Sequence, residues 1–272
     1  MRRELGRRGF FGVGAASVAA LAEDRFDVLD WKLDGSAELS RRALVLVPRG
    51  LAAGLCVPVL VLLHGLGETT NETAGVRAWV DRYGLLTSYA RLSRSPLGSR
   101  PFDGRTIFVC PFTPNVWRLA NTQGALDGFA SWIGDVLLPE VRSKTPAETV
   151  AARTGVDGCS LGGFIGLEVF LRRPALFGAW GGVQAALRES AAPKWADRVS
   201  EALKTAGPRR LHIETSTRDP FQGANVAFSR ALCERGIEHD LVVLPGPHDQ
   251  PWLREVGTLE MLLWHDRVLR GS

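Results

Sequence analysis

One serine in this chain has the surroundings that nucleophilic chemistry needs. Gly158-Cys159-Ser160-Leu161-Gly162 reads G-x-S-x-G. That pattern arises easily by chance in a chain with 30 glycines, so its meaning rests on its setting. Thr154–Asp157 before it reads as a short strand, and Leu161–Arg172 after it as a helix that stops ahead of Pro174. A serine on so sharp a strand–turn–helix junction projects its hydroxyl above the sheet. Glycines two residues to either side remove side chains that would strike the neighbouring strand and helix. The free N–H groups of the helix start favour negative charge at the same point. The bland alternative is a Gly-rich turn with a capping serine.

A serine nucleophile needs a base, and the base needs an orienting acid. In open parallel sheets, reacting groups gather at the carboxyl ends of the strands. Of the five histidines, His212 lies inside a strand, His239 just before one, and His265 within the last helix. His64 stands at a strand's carboxyl end but upstream of the serine. His248 follows a strand end, in Pro245-Gly246-Pro247-His248-Asp249. The acid is expected between serine and histidine in sequence. Asp219, in the loop Ser216-Thr217-Arg218-Asp219-Pro220 after a strand, fits. It would fix the imidazole tautomer and stabilise the imidazolium. Asp249 is the runner-up, although adjacency to His248 makes a side-chain hydrogen bond between them awkward. A solvated His248 and a helix-capping Asp219 are the structural alternatives.

The loop His64-Gly65-Leu66-Gly67 supplies the remaining part. Its glycines let the backbone curl toward the serine, so the N–H groups of Leu66 and Leu161 could form an oxyanion hole. His64 takes a structural role in that loop.

The elements that must position these groups follow from the apolar runs. Phe26–Leu33 and Ala43–Val47 predict two antiparallel strands joined by a turn at Asp34-Gly35-Ser36. Val57–Leu63, Thr106–Cys110, Thr154–Asp157, Ala179–Gln184, Leu211–Thr215 and Leu241–Leu244 bring the total to eight. Helices are expected at Asp127–Arg142, Leu161–Arg172, Ala196–Ala206, Ala224–Arg235 and Glu255–Leu269. The alternation predicts one α/β domain over residues 23–272, with a mostly parallel sheet covered by helices on both faces. The segment 184–207 could form a small cap.

Composition narrows the partners. Hydrophobic content of 45% and charged content of 23% are ordinary for a globular protein. No apolar run reaches the ~18 residues of a membrane span. Of the net charge of +4, +3 falls on residues 1–22, where Arg2, Arg3, Arg7 and Arg8 face Glu4. The near-neutral remainder gives no reason to expect nucleic acid. The same stretch resembles a twin-arginine export signal: Arg7-Arg8-Gly9-Phe10-Phe11, an apolar run to Leu21, and Ala20-Leu21-Ala22 as cleavage site. Export to the periplasm or beyond is the expectation, and a basic terminus on a cytoplasmic protein the alternative. Cys56, Cys110, Cys159 and Cys233 form no C-x-x-C pair. Strand geometry separates Cys56 from Cys110 by about 17 Å, so all four are expected to stay free.

Together, Leu62–Gly67, Asp157–Gly163, Arg172–Phe177, Thr217–Phe221 and Gly246–Asp249 resemble the esterase branch of the α/β-hydrolases. That group includes S-formylglutathione hydrolases, feruloyl esterases and mycolyltransferases, and the likeness spans roughly residues 40–270. The resemblance implies an α/β-hydrolase fold and acyl transfer from a small-molecule or glycan ester to water, without cofactor or metal. An acyltransferase with an alcohol or sugar acceptor, or a non-catalytic binding protein, are the alternatives. Trp79, Phe112, Trp117, Phe221 and Trp252 lie in or near carboxyl-end loops and are candidates for the pocket wall. Trp117, Phe221 and Trp252 lead that group.

Overall fold

Val59–Leu63 is an apolar run without alternation, as a strand covered on both faces requires, and each of its residues is buried. It lies at the centre of an eight-stranded sheet. In this computed structural model, residues 24–34, 39, 41–94 and 101–270 are described. The export-like segment and the expected turn at Gly35-Ser36 lie outside them.

The strands are β1 (Phe26–Lys32), β2 (Arg42–Pro48), β3 (Val59–Leu63), β4 (Ile107–Pro111), β5 (Thr154–Gly158), β6 (Ala179–Val183), β7 (Arg210–Arg218) and β8 (Asp240–Pro247). Their order is β1-β2-β4-β3-β5-β6-β7-β8. β2 runs antiparallel to both β1 and β4, and every other pairing is parallel. This is the eight-stranded, mostly parallel arrangement that the alternating pattern predicts.

The helices are α1 (Glu72–Asp81), α2 (Leu85–Arg94), α3 (Thr122–Trp132), α4 (Leu138–Lys144), α5 (Leu161–Arg172), α6 (Ala192–Ala206), α7 (Gln222–Cys233), the short α8 (Gln250–Trp252) and α9 (Thr258–Leu269). A π-helical turn, Ile133–Leu137, joins α3 to α4, and another, Leu253–Gly257, joins α8 to α9. One layer of core packs the sheet against α3 to α7, the other against α1, α2 and α9.

Two elements are absent from the sequence expectation. α1 and α2 fill the connection from β3 to β4, which periodicity left without a helix. α1 carries Gly75 in its middle, a weak helix former. Its Cβ position lies 2.6 Å from His64 Nε2 and 2.6 Å from the Phe112 ring, so tertiary approach demands the glycine there. The segment 184–207 holds the crossover from β6 to β7. Its helix α6 buries Trp195, Ala196 and Val199 and packs against α7.

Candidate active site

The carboxyl ends of β3, β5, β6, β7 and β8 converge on one cavity of about 390 Å³. β5 ends at Gly158, and α5 begins at Leu161, so Ser160 sits on the turn between them. Its backbone has φ 54° and ψ −116°, a conformation an L-residue adopts only under constraint. The glycines make that turn feasible. A Cβ on Gly158 would lie 2.4 Å from the carbonyl carbon of Gly162. One on Gly162 would lie 2.2 Å from Leu63 O. The turn is held by Ser160 N donating to Val183 O at 2.9 Å and by Ala186 N donating to Ser160 O at 2.9 Å.

His248 Nε2 lies 3.2 Å from Ser160 Oγ, and His248 Nδ1 lies 2.8 Å from Asp219 Oδ1. The Asp219 carboxylate is fully buried, and its remaining valence is used. Thr215 Oγ1 donates to Oδ2 at 2.7 Å, and Phe221 N donates to Oδ1 at 3.0 Å. A carboxylate acceptor at Nδ1 places the proton there, leaving the Nε2 lone pair to take the serine proton. The chain serine–imidazole–carboxylate can therefore generate an alkoxide-like nucleophile and return the proton to a leaving group.

The runner-up acid is otherwise engaged. Asp249 Oδ1 accepts from Trp252 N at 2.8 Å and caps α8. The remaining histidines also have other places. His239 meets Ser229 Oγ at 2.6 Å. His265 meets Asp157 in the core at 2.7 Å. His212 stacks on Trp264 with ring centroids 4.8 Å apart.

The loop after β3 forms the opposite wall. Leu66 opens a 3₁₀ turn, Leu66–Glu68, and lines the cavity. The N–H groups of Leu66 and Leu161 both belong to helix-start positions that lack an acceptor within their own helix. The Leu161 side chain is buried in the core, away from the cavity. His64 anchors the loop. Its Nδ1 donates to Gly65 O at 2.9 Å, and its Nε2 accepts from Thr113 N at 2.9 Å. Burial pulls its pKa down to about 4, so the ring stays neutral and structural.

A second anchor carries no signal in the sequence. Tyr83 donates to the buried carboxylate of Glu68 and accepts from Gly65 N at 3.2 Å. Arg82 Nη1 completes the set, 3.1 Å from Glu68 Oε1. Burial pushes the Tyr83 phenol far above its ordinary pKa. Tyr83 lies in the turn between α1 and α2, and its pairing with Glu68 appears only once the loop closes. Gln184 is a further residue that sequence reasoning passed over. It has φ 49°, and its amide donates to Ser216 Oγ at 2.6 Å and to Pro247 O at 3.0 Å. It thereby ties the strand before Asp219 to the residue before His248. The strand-end rule that singled out Asp219 could have found it, since it directly follows β6.

The aromatic candidates divide. Trp117, 45% exposed, and Phe221 line the cavity. Phe221 packs edge-on against the His248 ring at 5.5 Å. Trp252 does not line it, which corrects the expectation. It is buried, its Nε1 donates to Pro245 O at 2.9 Å, and a Cβ on Gly246 would fall 2.0 Å from its Cδ1. It braces the histidine loop from beneath. Trp79 is core and Phe112 lies against His64. Among the described residues, no group of three or more His, Cys, Asp or Glu could hold a metal ion. All four cysteines are free, with Cys110 and Cys159 buried and Cys56 and Cys233 exposed.

No family model matches the sequence, and no curated protein is similar to it at a significant level. Solved structures do match. A ferulic acid esterase superposes with a TM-score of 0.70 at 18% identity, over 90% of this chain and 99% of its own. Staphylococcus aureus fluorophosphonate-binding serine hydrolase F gives 0.67 at 13% identity, over 89% and 98%. An S-formylglutathione hydrolase from Agrobacterium tumefaciens gives 0.62 at 16% identity, over 89% and 94%. These likenesses, with the strand order above, make the fold that of the α/β-hydrolases.

Proposed function

We propose that the protein is a serine esterase that cleaves carboxylic esters through an acyl-enzyme on Ser160. The observation that carries this reading is the unbroken chain from Ser160 Oγ to His248 (3.2 Å) to the buried Asp219 (2.8 Å) at the floor of an open cavity. His248 Nε2 takes the serine proton as Oγ attacks the ester carbonyl. The Leu66 and Leu161 N–H groups receive the oxyanion, where preorganised donors are worth several kcal/mol in the transition state. His248 then protonates the departing alcohol, and the same residues run the second half with water as nucleophile. Asp219 stays ionised, holding the tautomer. The ferulic acid esterase among the similar structures supports an ester as substrate.

The test is labelling with a fluorophosphonate probe, joined to hydrolysis of 4-nitrophenyl acetate. The wild-type protein is expected to label and turn over, and Ser160→Ala to lose labelling and about 10⁴–10⁶ in kcat. Labelling that survives in Ser160→Ala would place the nucleophile elsewhere. The Arg7-Arg8 segment supports export of this enzyme; changing both arginines to lysine is expected to retain the precursor in the cytoplasm, and unaltered export would remove that reading.

A further inference from the structure

The catalytic cavity has a neighbour. Past Trp117 and Ala186, which wall both spaces, opens a second hollow of about 780 Å³. Phe164, on the first turn of α5, and Trp195, on α6, line it. Trp117 stacks on Phe164 with centroids 5.8 Å apart and planes 26° apart. Phe164 in turn meets Trp195 edge-on at 6.1 Å. One face of the Trp117 indole is thus backed by an aromatic ring while the residue stays 45% exposed. An exposed indole braced from behind offers a flat platform to a ring.

Charge in the hollow is lopsided. Glu168, buried, is consumed by Arg198 at 2.7 Å, by Arg172 and by the Trp195 indole N–H at 2.9 Å. Two further cations line the hollow, Arg188 and Lys194, both exposed. Among the described residues, neither makes an ion pair or a side-chain hydrogen bond. Glu189, the nearest acid in sequence, is not part of this wall. The unpaired charge facing the hollow is therefore positive, beside an aromatic platform that continues from the nucleophile's own cavity.

Resting on the esterase reading, we propose that the hollow is a substrate subsite for the part of the ester remote from the reacting carbonyl, and that this part is a ring bearing a carboxylate. The ring lies on Trp117, and the anion faces Arg188 and Lys194. A half-ester of an aromatic dicarboxylic acid, or an aromatic or sugar acid esterified through a hydroxyl group so that its own carboxylate stays free, meets both demands.

Two matched pairs of probes test it. The first is 4-(acetoxymethyl)benzoate against its carboxamide, with the charge on the alcohol. The second is monomethyl terephthalate against methyl 4-carbamoylbenzoate, with the charge on the acyl group. In one pair, wild type is expected to prefer the carboxylate by about five- to tenfold in kcat/KM, as two exposed charge contacts allow. Raised salt should shrink the preference. Arg188→Gln with Lys194→Gln should bring the ratio to one, while Lys204→Gln, a charge on the far part of α6, should leave it in place. A ratio of one in wild type for both pairs, or a ratio that survives the double variant, overturns the subsite. The esterase reading fails separately, on 4-nitrophenyl acetate. Calorimetric binding of the two carboxylates, 4-(acetoxymethyl)benzoate and monomethyl terephthalate, to Ser160→Ala, with and without the double substitution, needs no turnover. Equal affinity of the two proteins for both probes overturns the subsite whatever the chemistry proves to be.

Discussion

Two aspartate–histidine pairs of nearly equal geometry stand in this protein. Asp219 and His248 meet at 2.8 Å, and Asp157 and His265 at 2.7 Å. Both carboxylates are fully buried. What separates the pairs is the other ring nitrogen. His248 Nε2 faces Ser160 and open space, and its side chain is a quarter exposed. His265 Nδ1 faces the position a Gly155 side chain would take and has no partner among the described residues. The core pair keeps company with Glu214, also buried, whose pKa burial raises well above the ordinary carboxylate value. Burial raises Asp157 as well, against the pull of His265. An acid–imidazole contact is thus no sign of catalysis by itself. Chemistry requires a third group on the free nitrogen and a place for substrate.

The largest expected effect falls on the site pair. Asp219→Asn should fold and lose about 10⁴ in kcat, because the amide favours the wrong imidazole tautomer; activity within tenfold of wild type would show that the contact does not orient His248. Asp157→Ala should do the reverse. It strands the His265 N–H in the core, at a cost of about 3–5 kcal/mol seen as a lowered denaturation midpoint. The folded fraction should keep kcat within about tenfold. A collapse in kcat without loss of stability would join the core pair to the reaction.

His212 gives a smaller handle on the same core. Neither ring nitrogen has a partner among the described residues, and burial pulls its pKa down to about 3. In the unfolded chain the ring titrates near 6.5. Below that pH the unfolded state binds a proton the folded state refuses, so stability is lost as pH falls from about 6.5 to about 3. His212→Phe keeps the stack on Trp264, relieves the unpaired nitrogens and should gain about 1–3 kcal/mol. It should also flatten the acid limb of the stability curve, and an unchanged slope between pH 6 and 4 would assign that limb to other groups. The smallest effect belongs to Asp249→Ala, which removes the α8 cap for about 1 kcal/mol with kcat within a few-fold. Loss of activity as deep as in Asp219→Asn would restore Asp249 as the acid.

Much of this was readable before the structure. β3 and β4 follow from apolar runs without alternation, as strands covered on both faces, whereas β5, Thr-Gly-Val-Asp-Gly, is just as buried and is legible only from the motif it leads into. Ser160 follows from G-x-S-x-G between a strand and a helix, and Asp219 and His248 from the rule that loops at the carboxyl ends of the strands meet; the structure places the three within hydrogen-bonding reach. What stayed hidden was made by contact rather than by local pattern. α1 was obscured by Gly75, whose reason is the nearby His64 ring. Tyr83 and Glu68 are fifteen residues apart and meet only when the turn after α1 folds back over the loop. Trp252 reads as a pocket residue because it follows the His248 loop. The left-handed Gly246, φ 142°, instead lets it slide underneath.

The two exposed thiols share one side of the molecule. Cys56 precedes β3 at the amino edge of the sheet, and Cys233 ends α7, which runs back from β7 toward that same edge. The cavity at Ser160 opens at the carboxyl edge, and its own thiol, Cys159, is buried with its pKa raised by burial. Maleimide chemistry at neutral pH would therefore graft the protein to a bead or electrode from behind. Every immobilised copy would present its cleft to the solution, with no residue added or replaced.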